Sequence, residues 1–199
     1  MLSCAKKIMK NFSTAEFEPG KVLIPQDRLQ ERVSGLGLEI SQAFAGKDLA
    51  VIAILKGSFV FAADLLRELT IPCSIDFMGI SSYASQTGSG VVRITKDLDE
   101  SIAGRSVLLI EDIIDTGLTA NYLVKALKRR NPASVDICAL LDKTARRLID
   151  LPIAYRGFEI PDVFVVGYGM DYQQKYRNLP YVAIARQSSV SSAMEKESA

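Results

Sequence analysis

Hydrophobic residues form two patterns that follow one another along the chain, a helical periodicity and short continuous apolar runs. The stretch 27–44 predicts an amphipathic helix, because apolar residues recur there at spacings of three and four, at Leu29, Val33, Leu36, Ile40 and Phe44. The stretches 49–55 (LAVIAIL) and 107–111 (VLLIE) are almost purely apolar, which is typical of strands buried on both faces of a sheet. Helices and buried strands that follow one another in this way indicate an α/β protein with a mainly parallel sheet.

The rest of the chain extends this alternation. Two more helices are expected, one at 59–69 with Ser58 as its cap and one at 120–130, stopped by Asn131 and Pro132. Further strands are expected at 73–77, 91–95, 134–141, 158–160, 163–166 and 181–185. Sheets of this kind bind ligands beyond the carboxyl ends of their strands, in this chain the loops after Leu55, Glu111 and Leu141.

The amino-acid composition says little about the fold but excludes several kinds of catalytic and metal site. The chain has 199 residues, 48% of them hydrophobic, which suits one domain with its own core. It contains no histidine, so imidazole general bases, Ser–His–Asp triads and HExxH zinc sites are excluded. A net charge of +1 provides no overall attraction to nucleic acids or to membranes. Three cysteines without a CxxC spacing indicate neither a zinc ribbon nor a redox pair.

The ends of the chain suggest where the domain stops. No apolar signal segment begins the chain, and the longest apolar run, 49–55, is far below the ~20 residues that cross a bilayer. We therefore expect a cytoplasmic protein without membrane contact. A single domain is predicted over 1–186, and a disordered polar tail over 187–199. The Ser- and Gly-rich stretch 81–90 (SSYASQTGSG) predicts a loop that acts as a lid.

The segment 107–119 (VLLIEDIIDTGLT) carries the sharpest chemical signal. Its polar residues are Glu111 and Asp112 at the strand end, Asp115 in the loop, and Thr116, Gly117 and Thr119 before a helix. Glycine allows close backbone approach, and hydroxyls with free N–H groups at a helix start form a cradle for an anion. Carboxylates beside such a cradle suggest sugar hydroxyls or Mg²⁺ as further partners. Helix capping would explain Asp115 and Thr116, but not two consecutive acids at a strand end.

This segment resembles the motif with which purine phosphoribosyltransferases bind phosphoribosyl pyrophosphate (PRPP), and the chain is similar to the bacterial hypoxanthine (hypoxanthine–guanine) members. The likeness runs from about 49 to 185 and includes LKGSFVFAADLL, SSY, KDLDESIAGRSVLLIEDIIDTGLT, CALLDK and GFEIPDVFVVGYGMDYQQKYRNLPY. It implies a type I phosphoribosyltransferase fold, a mainly parallel sheet flanked by helices with a small hood from the N- and C-terminal segments. It also implies a homodimer or homotetramer.

The implied reaction joins hypoxanthine, and guanine, to PRPP and releases pyrophosphate, with Mg²⁺ as cofactor. The residues that the resemblance assigns to PRPP and its phosphates are Lys56, Gly57, Glu111, Asp112, Asp115, Thr116, Gly117, Leu118, Thr119 and Arg177. In the family, the pair that matches Lys56-Gly57 binds pyrophosphate, often with a cis peptide bond, and Leu118 would contribute its backbone. The implied Mg²⁺ ligands are Glu111, Asp112 and Asp171. Ser82 and Tyr83 match the loop that closes over the reacting centre.

The resemblance also implies a purine site made of Lys143, Phe164, Val165 and Asp171. Lys143 would donate to the purine O6 and so select 6-oxopurines over adenine, whose 6-amino group is itself a donor. Phe164 would stack on the base, while the backbones of Val165 and Asp171 would read its edge. Asp115 would accept the N7 (or N9) proton, or only orient the base. Without the resemblance, Lys56, Lys143 and Arg177 would be interpreted as surface cations and Phe164 equally well as a core residue.

Two other functions stay open at the level of the sequence. One is a related transferase that prefers xanthine or guanine, because the residues around Lys143 and Asp171 discriminate weakly among these bases. The other is a regulator with the same fold that binds nucleotide and RNA, for which the basic runs 125–130 (KALKRR) and 146–147 are the only support. A net charge of +1 favours solvated basic faces and no nucleic-acid partner.

Overall fold

A computed structural model of the protein describes residues 17–83 and 91–187. The elements along these residues are β1 (Phe17–Ile24), α1 (Gln26–Ala43), β2 (Leu49–Leu55), α2 (Phe59–Glu68), β3 (Cys73–Tyr83), β4 (Val91–Lys96), β5 (Ser106–Ile114), α3 (Leu118–Lys128), β6 (Ser134–Asp142), a 3-10 turn (Thr144–Arg146), β7 (Tyr155–Glu159), β8 (Val165–Val166) and β9 (Val182–Gln187). Among the helices described, none has the length and apolar character needed to cross a bilayer.

The larger sheet has the strand order β4-β3-β2-β5-β6-β7. All neighbouring strands run parallel except β3 and β4, which form an antiparallel pair at one edge. Leu49 of β2 lies beside Ser106 of β5, which in turn lies beside Ser134 of β6. Because these three strands start in register and run the same way, their carboxyl ends open onto one edge of the sheet. The predicted α/β fold with a mainly parallel sheet is confirmed.

The apolar strands are explained by a core on each face of this sheet. Side chains alternate along a strand, so Val51 and Ala53 face a core with α1 and α2, while Ile52 and Ile54 face a core with α3. Both faces are covered, and β2 is therefore buried along nearly its whole length. The helix predicted at 27–44 lies one residue earlier, and all five of its periodic apolar residues are buried.

A second, antiparallel sheet of order β1-β9-β8 forms the predicted hood. Phe17 pairs with Gln187 and Ile24 with Val182, so the first and last described elements of the chain are hydrogen-bonded to each other. Val165 and Val182, both buried, join the hood to the core on the α1 side of the main sheet. Val165 of β8 also lines one cavity together with Asp112 of β5 and Lys143 after β6, so the hood lies beside the carboxyl ends of the central strands.

Several local predictions were wrong or incomplete. Strand β5 does not end at Glu111 but continues to Ile114, because it pairs with β6 as far as Asp142. Helix α3 begins at Leu118, two residues before the predicted start. Strand β1 was not predicted at all. Ser58 precedes α2 but does not cap it: its hydroxyl donates a hydrogen bond of 2.6 Å to the Ile54 carbonyl instead.

Candidate active site

Two adjoining cavities open where β2, β5 and β6 end. The first has a volume of about 230 Å³ and the second about 330 Å³. They share Gly57, Asp112, Ile113 and Asp115 as a common wall. The site is therefore divided into two compartments, with carboxylates at the boundary between them.

The first cavity is bordered by the loop that leads from β5 into α3. Thr116, Gly117 and Thr119 line it, and Gly117 precedes the helix with a φ of +83°. Glycine adopts this left-handed conformation without steric cost. The first turn of α3 contains no acidic residue and Gly117 has no capping side chain, so the backbone N–H groups at the helix start suit an anion. Leu118 is 52% exposed and does not line the cavity, which leaves only its backbone for a ligand.

Gly57 allows the two central strands to meet closely at the site. A non-proline cis peptide bond is present, but it joins Leu55 to Lys56, one position before the Lys56-Gly57 pair for which the resemblance implied it. The carboxylate of Asp112 lies directly over the Gly57 Cα, where any Cβ would overlap it. On the other side Gly169, with a φ of +98°, lies against the Gly57 carbonyl, and a Cβ there would also overlap. Gly169 is a contact that the sequence did not single out.

Glu111 and Asp112 are two neighbouring carboxyl groups, of which Glu111 is buried and Asp112 is partly buried. Burial raises the pKa of Glu111 well above its usual range, and the charge of Asp112 adds to the effect. Burial also raises the pKa of Asp112 to about 6, although backbone N–H groups and the Arg177 guanidinium act in the opposite direction. A cation or hydroxyl donor placed between these groups would relieve the cost of their charge.

Arg177 and Asp171 form an ion pair on the hood side of the second cavity. Arg177 Nη2 lies 2.6 Å from Asp171 Oδ1, and Arg177 Nη1 donates to the Gly169 carbonyl at 2.6 Å. Gln174 connects this pair to the cis peptide: its side-chain oxygen accepts from Arg177 at 3.3 Å and from Lys56 at 3.4 Å, and its N–H donates to Asp171. Nothing in the sequence pattern distinguished Gln174 from its neighbours. Lys56 and Arg177 are thus brought to one place.

Lys143 and Asp115 lie within a network of four charges at the other end of the second cavity. Lys143 is only 7% exposed, and its amine lies 3.6 Å from Asp162 and 4.0 Å from Asp115. Arg146 lies 3.2 Å from each oxygen of Asp115, although its Nε is not aligned for a hydrogen bond to the buried Oδ1. Arg146 and Asp162 were missed, yet both are charged residues close to segments that the sequence did single out.

Phe164 and Val165 form the hood wall of the second cavity. Phe164 is 48% exposed, which contradicts the alternative of a core residue, and it makes edge contacts with Phe17 at 5.9 Å and Tyr172 at 6.1 Å. Ala185 donates to the Phe164 carbonyl. Because antiparallel pairs alternate, the N–H and C=O of Val165 point away from β9, towards the cavity.

The acidic residues predicted to hold Mg²⁺ do not converge on one point. Within residues 17–83 and 91–187, no group of three His, Cys, Asp or Glu side chains is arranged to hold a metal ion. Asp112 and Asp171 are close enough to influence each other's charge, and Glu111 is next to Asp112. Mg²⁺ typically takes one or two carboxylates together with substrate phosphates, so these oxygen donors fit a cation that is completed by a ligand.

Part of the predicted lid lies outside the described residues. The backbones of Ser82 and Tyr83 belong to β3, where they pair with Val92 and Val91 of β4. Residues 84–90, which hold the rest of the predicted loop, are outside the described ranges, as are 188–199 of the predicted tail. The proposed closing movement therefore stays a prediction, as does the domain boundary at 186.

Comparison with known proteins identifies the class to which this fold and site belong. Residues 25–173 match the model of the phosphoribosyl transferase domain, and the chain belongs to the phosphoribosyltransferase family. Within it, the chain is 47% identical over 165 residues to a hypoxanthine phosphoribosyltransferase of Salmonella typhimurium, covering 81% of this chain and 93% of that one. It is 46% identical over 167 residues to a hypoxanthine-guanine phosphoribosyltransferase of Bacillus subtilis, with coverages of 83% and 93%.

Solved structures agree with these sequence relatives. A hypoxanthine-guanine phosphoribosyltransferase of Bacillus anthracis superimposes with a TM-score of 0.81 at 45% identity, over 86% of this chain and 100% of that one. A hypoxanthine phosphoribosyltransferase of Trypanosoma cruzi, in complex with the product IMP, has a TM-score of 0.80 at 38% identity, over 86% and 97%. The implied family and the type I phosphoribosyltransferase fold are confirmed.

Proposed function

We propose that this chain is a purine-salvage enzyme that transfers the phosphoribosyl group of PRPP to hypoxanthine, and to guanine, forming IMP or GMP and pyrophosphate. The names of its relatives support this choice of substrate. The observation that carries it is the pair of adjoining cavities with Asp115 on their shared wall. One cavity suits a sugar phosphate, and the other presents an aromatic ring and a nearly buried lysine to a flat polar base.

In this proposal the first cavity holds the phosphoribosyl group. The 5′-phosphate accepts hydrogen bonds from the backbone at the start of α3 and from the hydroxyls of Thr116 and Thr119. Glu111 and Asp112 accept hydrogen bonds from the ribose hydroxyls. Lys56 and Arg177 contact the pyrophosphate, whose departure with the C1′–O electron pair leaves a growing negative charge that these cations stabilise.

The second cavity holds the base. Phe164 stacks on the purine, and the outward-facing backbone of Val165 and the Asp171 carbonyl read its edge. Lys143 donates to O6. As the C1′–N bond forms, the proton on N7 (or N9) passes to the Asp115 carboxylate, the group that the family resemblance assigns to this step in a chain without histidine.

Mg²⁺ belongs to the same proposal as a partner of PRPP. Asp112, Glu111 and Asp171 would supply the protein's oxygen ligands, and when bound the ion would neutralise charge on the pyrophosphate. The raised pKa values of Glu111 and Asp112 support a cationic or hydroxyl-bearing ligand between them. Closure by Ser82 and Tyr83, assembly as a homodimer or homotetramer and a cytoplasmic location stay expectations from the family resemblance.

The proposal is tested by measuring pyrophosphate release from PRPP with hypoxanthine, guanine, xanthine and adenine in turn. We expect turnover with hypoxanthine and guanine and almost none with adenine. A clear preference for xanthine would support the xanthine- or guanine-specific alternative. Absence of turnover with every base, together with retained PRPP binding, would contradict the enzyme and favour a regulator that binds nucleotide.

A further inference from the structure

A buried ion pair lies beneath the loop that forms the phosphate cradle. Asp142 ends β6 with a fully buried carboxylate, and the Arg147 guanidinium, 16% exposed, pairs with it. Arg156 lies on the other side of the same carboxylate, with its Nε 2.8 Å from Asp142 Oδ2. Asp142 is opposite Ile114 in the paired strands, so two central strands of the sheet fix the position of its charge.

The Arg147 side chain also contacts the cradle itself. A Cβ placed on Gly117 would lie 3.0 Å from Arg147 Cδ, so the aliphatic part of the arginine packs directly against that glycine. Next to it, the Leu148 N–H donates a 3.0 Å hydrogen bond to the Thr116 carbonyl. The Arg147 side chain thus bridges the sheet, through Asp142, to the loop before α3.

The same segment connects the two ends of the site. The Lys143 N–H donates to the Ile114 carbonyl at 2.9 Å, one residue before Asp115. Four residues later Arg147 reaches Gly117, two residues beyond Asp115. The loop around Asp115 is therefore bound on both sides by the chain that follows β6.

We propose that Arg147 is a positioning residue for the phosphate cradle: anchored by Asp142, its side chain fixes Gly117 and Thr116 so that the start of α3 is preformed for a sugar phosphate. This inference rests on the proposed function of that loop. Arg147 Nε is buried without a hydrogen-bond partner among the described residues. An unpaired buried donor is costly, so a pair that served stability alone would not be expected to retain it.

Loss of stability must be separated from loss of positioning. Arg147→Ala leaves a buried Asp142 charge with less compensation, which can unfold the protein. The double variant Asp142→Asn/Arg147→Ala removes that charge together with its partner and leaves an uncharged side chain of nearly the same size beside Arg156. Arg147→Lys keeps the charge and most of the aliphatic stem. Arg156→Ala is the matched control, because it removes the other cation from Asp142 without touching the cradle.

Steady-state kinetics with PRPP and hypoxanthine provide the first measurement. We expect the double variant to melt cooperatively and to raise the KM for PRPP at least tenfold, while kcat falls less than threefold. Arg147→Lys should return the KM to within threefold of wild type. Arg156→Ala should lower Tm but leave this KM within twofold. A folded double variant with the wild-type KM for PRPP would overturn the inference.

Calorimetric titration with ribose 5-phosphate provides a measurement that does not depend on turnover. Wild-type protein that binds this ligand but releases no pyrophosphate would count against the proposed reaction alone. At least tenfold weaker binding by the double variant would support the role of Arg147. Equal binding by the two proteins, or none by wild type, would overturn it.

Discussion

At the scale of single residues, the environment of Asp115 decides what it can do. Its carboxylate lies between Lys143 and Arg146, and it faces both cavities. The carboxylate that is proposed to receive the purine proton therefore has two cations beside it, and its charge is partly balanced within the site. Arg146 at the same time competes with a purine for the Asp115 oxygens, an arrangement that the sequence pattern did not predict.

Asp115→Asn tests the proposed base. The amide has nearly the same shape but cannot accept the purine proton, so we expect kcat to fall about 100-fold or more while the KM for PRPP changes little. Initial rates of IMP formation at saturating substrates measure the effect.

Asp162→Asn is the matched control, because Asp162 contacts the same two cations but lines neither cavity. We expect it to lose far less activity than Asp115→Asn. Near-wild-type turnover by Asp115→Asn, or equal losses in both variants, would show that Asp115 acts only as a countercharge.

Lys143→Ala tests the selection of 6-oxopurines. The nearly buried Lys143 lines the base cavity on the β6 side, and removal of its amine takes away the group that opposes adenine. We expect the ratio of kcat/KM for hypoxanthine over adenine to fall at least tenfold. Lys56→Ala should reduce activity with both bases without changing their ratio. An unchanged ratio in Lys143→Ala would refute the assigned role.

At the scale of elements, the passage from β5 into α3 depends on one glycine. Gly117 has a φ of +83°, and any Cβ there would lie 3.0 Å from Arg147 and 3.2 Å from Ile149. A side chain thus meets both an unfavourable backbone conformation and a filled space. The helix start that forms the anion site is therefore set by backbone geometry as well as by hydroxyl groups.

Gly117→Ala should weaken both the protein and its cradle. The backbone conformation alone costs about 1–2 kcal/mol in a non-glycine residue, and crowding adds to this. We expect a lower Tm and a KM for PRPP raised several-fold, measured by thermal unfolding and steady-state kinetics. Gly104→Ala is the control, because Gly104 has a φ of +75° with open space around it. It should lower Tm but leave the KM unchanged; equal KM values in the two variants would contradict the cradle.

Elements were predicted best where their pattern was local. The periodic apolar positions of α1 and the apolar strand β2 were found within one residue of their observed bounds. Strand β1 (FEPGKVLI) was missed because Pro19, Gly20 and Lys21 interrupt its pattern. It is a strand because it pairs with β9, more than 150 residues further along the chain. Likewise, β5 extends past Glu111 because β6 continues to pair with it.

At the scale of the whole molecule, the partly buried acidic site around Asp112 lowers the free energy of unfolding at neutral pH. The pKa of Asp112 is about 6 in the folded protein and 3.8 ordinarily, so the folded state binds this proton more tightly than the unfolded state. The carboxyl group therefore lowers stability once it ionises. This cost is absent below about pH 4, grows as the pH rises to about 6, and is complete above it, at no more than about 3 kcal/mol.

Asp112→Asn should make the ligand-free protein more stable at neutral pH. Because Asp112 is partly exposed, we expect a gain of about 1–2 kcal/mol in the free energy of unfolding at pH 7, which disappears towards pH 4. Urea unfolding at several pH values measures it, with the exposed Asp150→Asn as the control for net charge. A variant less stable than wild type at pH 7 would contradict the raised pKa.

The same substitution should remove the stabilisation that substrate provides. The Tm of the wild-type protein is expected to rise on addition of PRPP with Mg²⁺, because ligands that bind only the folded state stabilise it. The Tm of Asp112→Asn should rise much less on the same addition. The variant would then be more stable alone and less stable with its ligand, a pattern that simple surface substitutions do not produce.

The sequence by itself determined the parts of this protein that depend on near neighbours. Two runs that are wholly or almost wholly apolar required a sheet covered on both faces. The order of polar residues from Glu111 to Thr119 predicted carboxylates and an anion cradle near the carboxyl end of one strand. Its likeness to the family pointed to Lys143, Phe164 and Arg177 as site residues, and the fold brings all three to the second cavity.

Only the tertiary structure decided how these groups influence one another. The ion pair of Arg177 with Asp171, the position of Lys143 between Asp115 and Asp162, and the Arg147–Asp142 pair beneath Gly117 depend on how neighbouring loops fold back on one another. The raised pKa values of Glu111 and Asp112 depend on burial. Electrostatic energy depends on the separation of charges in space and on the exclusion of water. Both are properties of the folded chain, and neither can be read from the order of its residues.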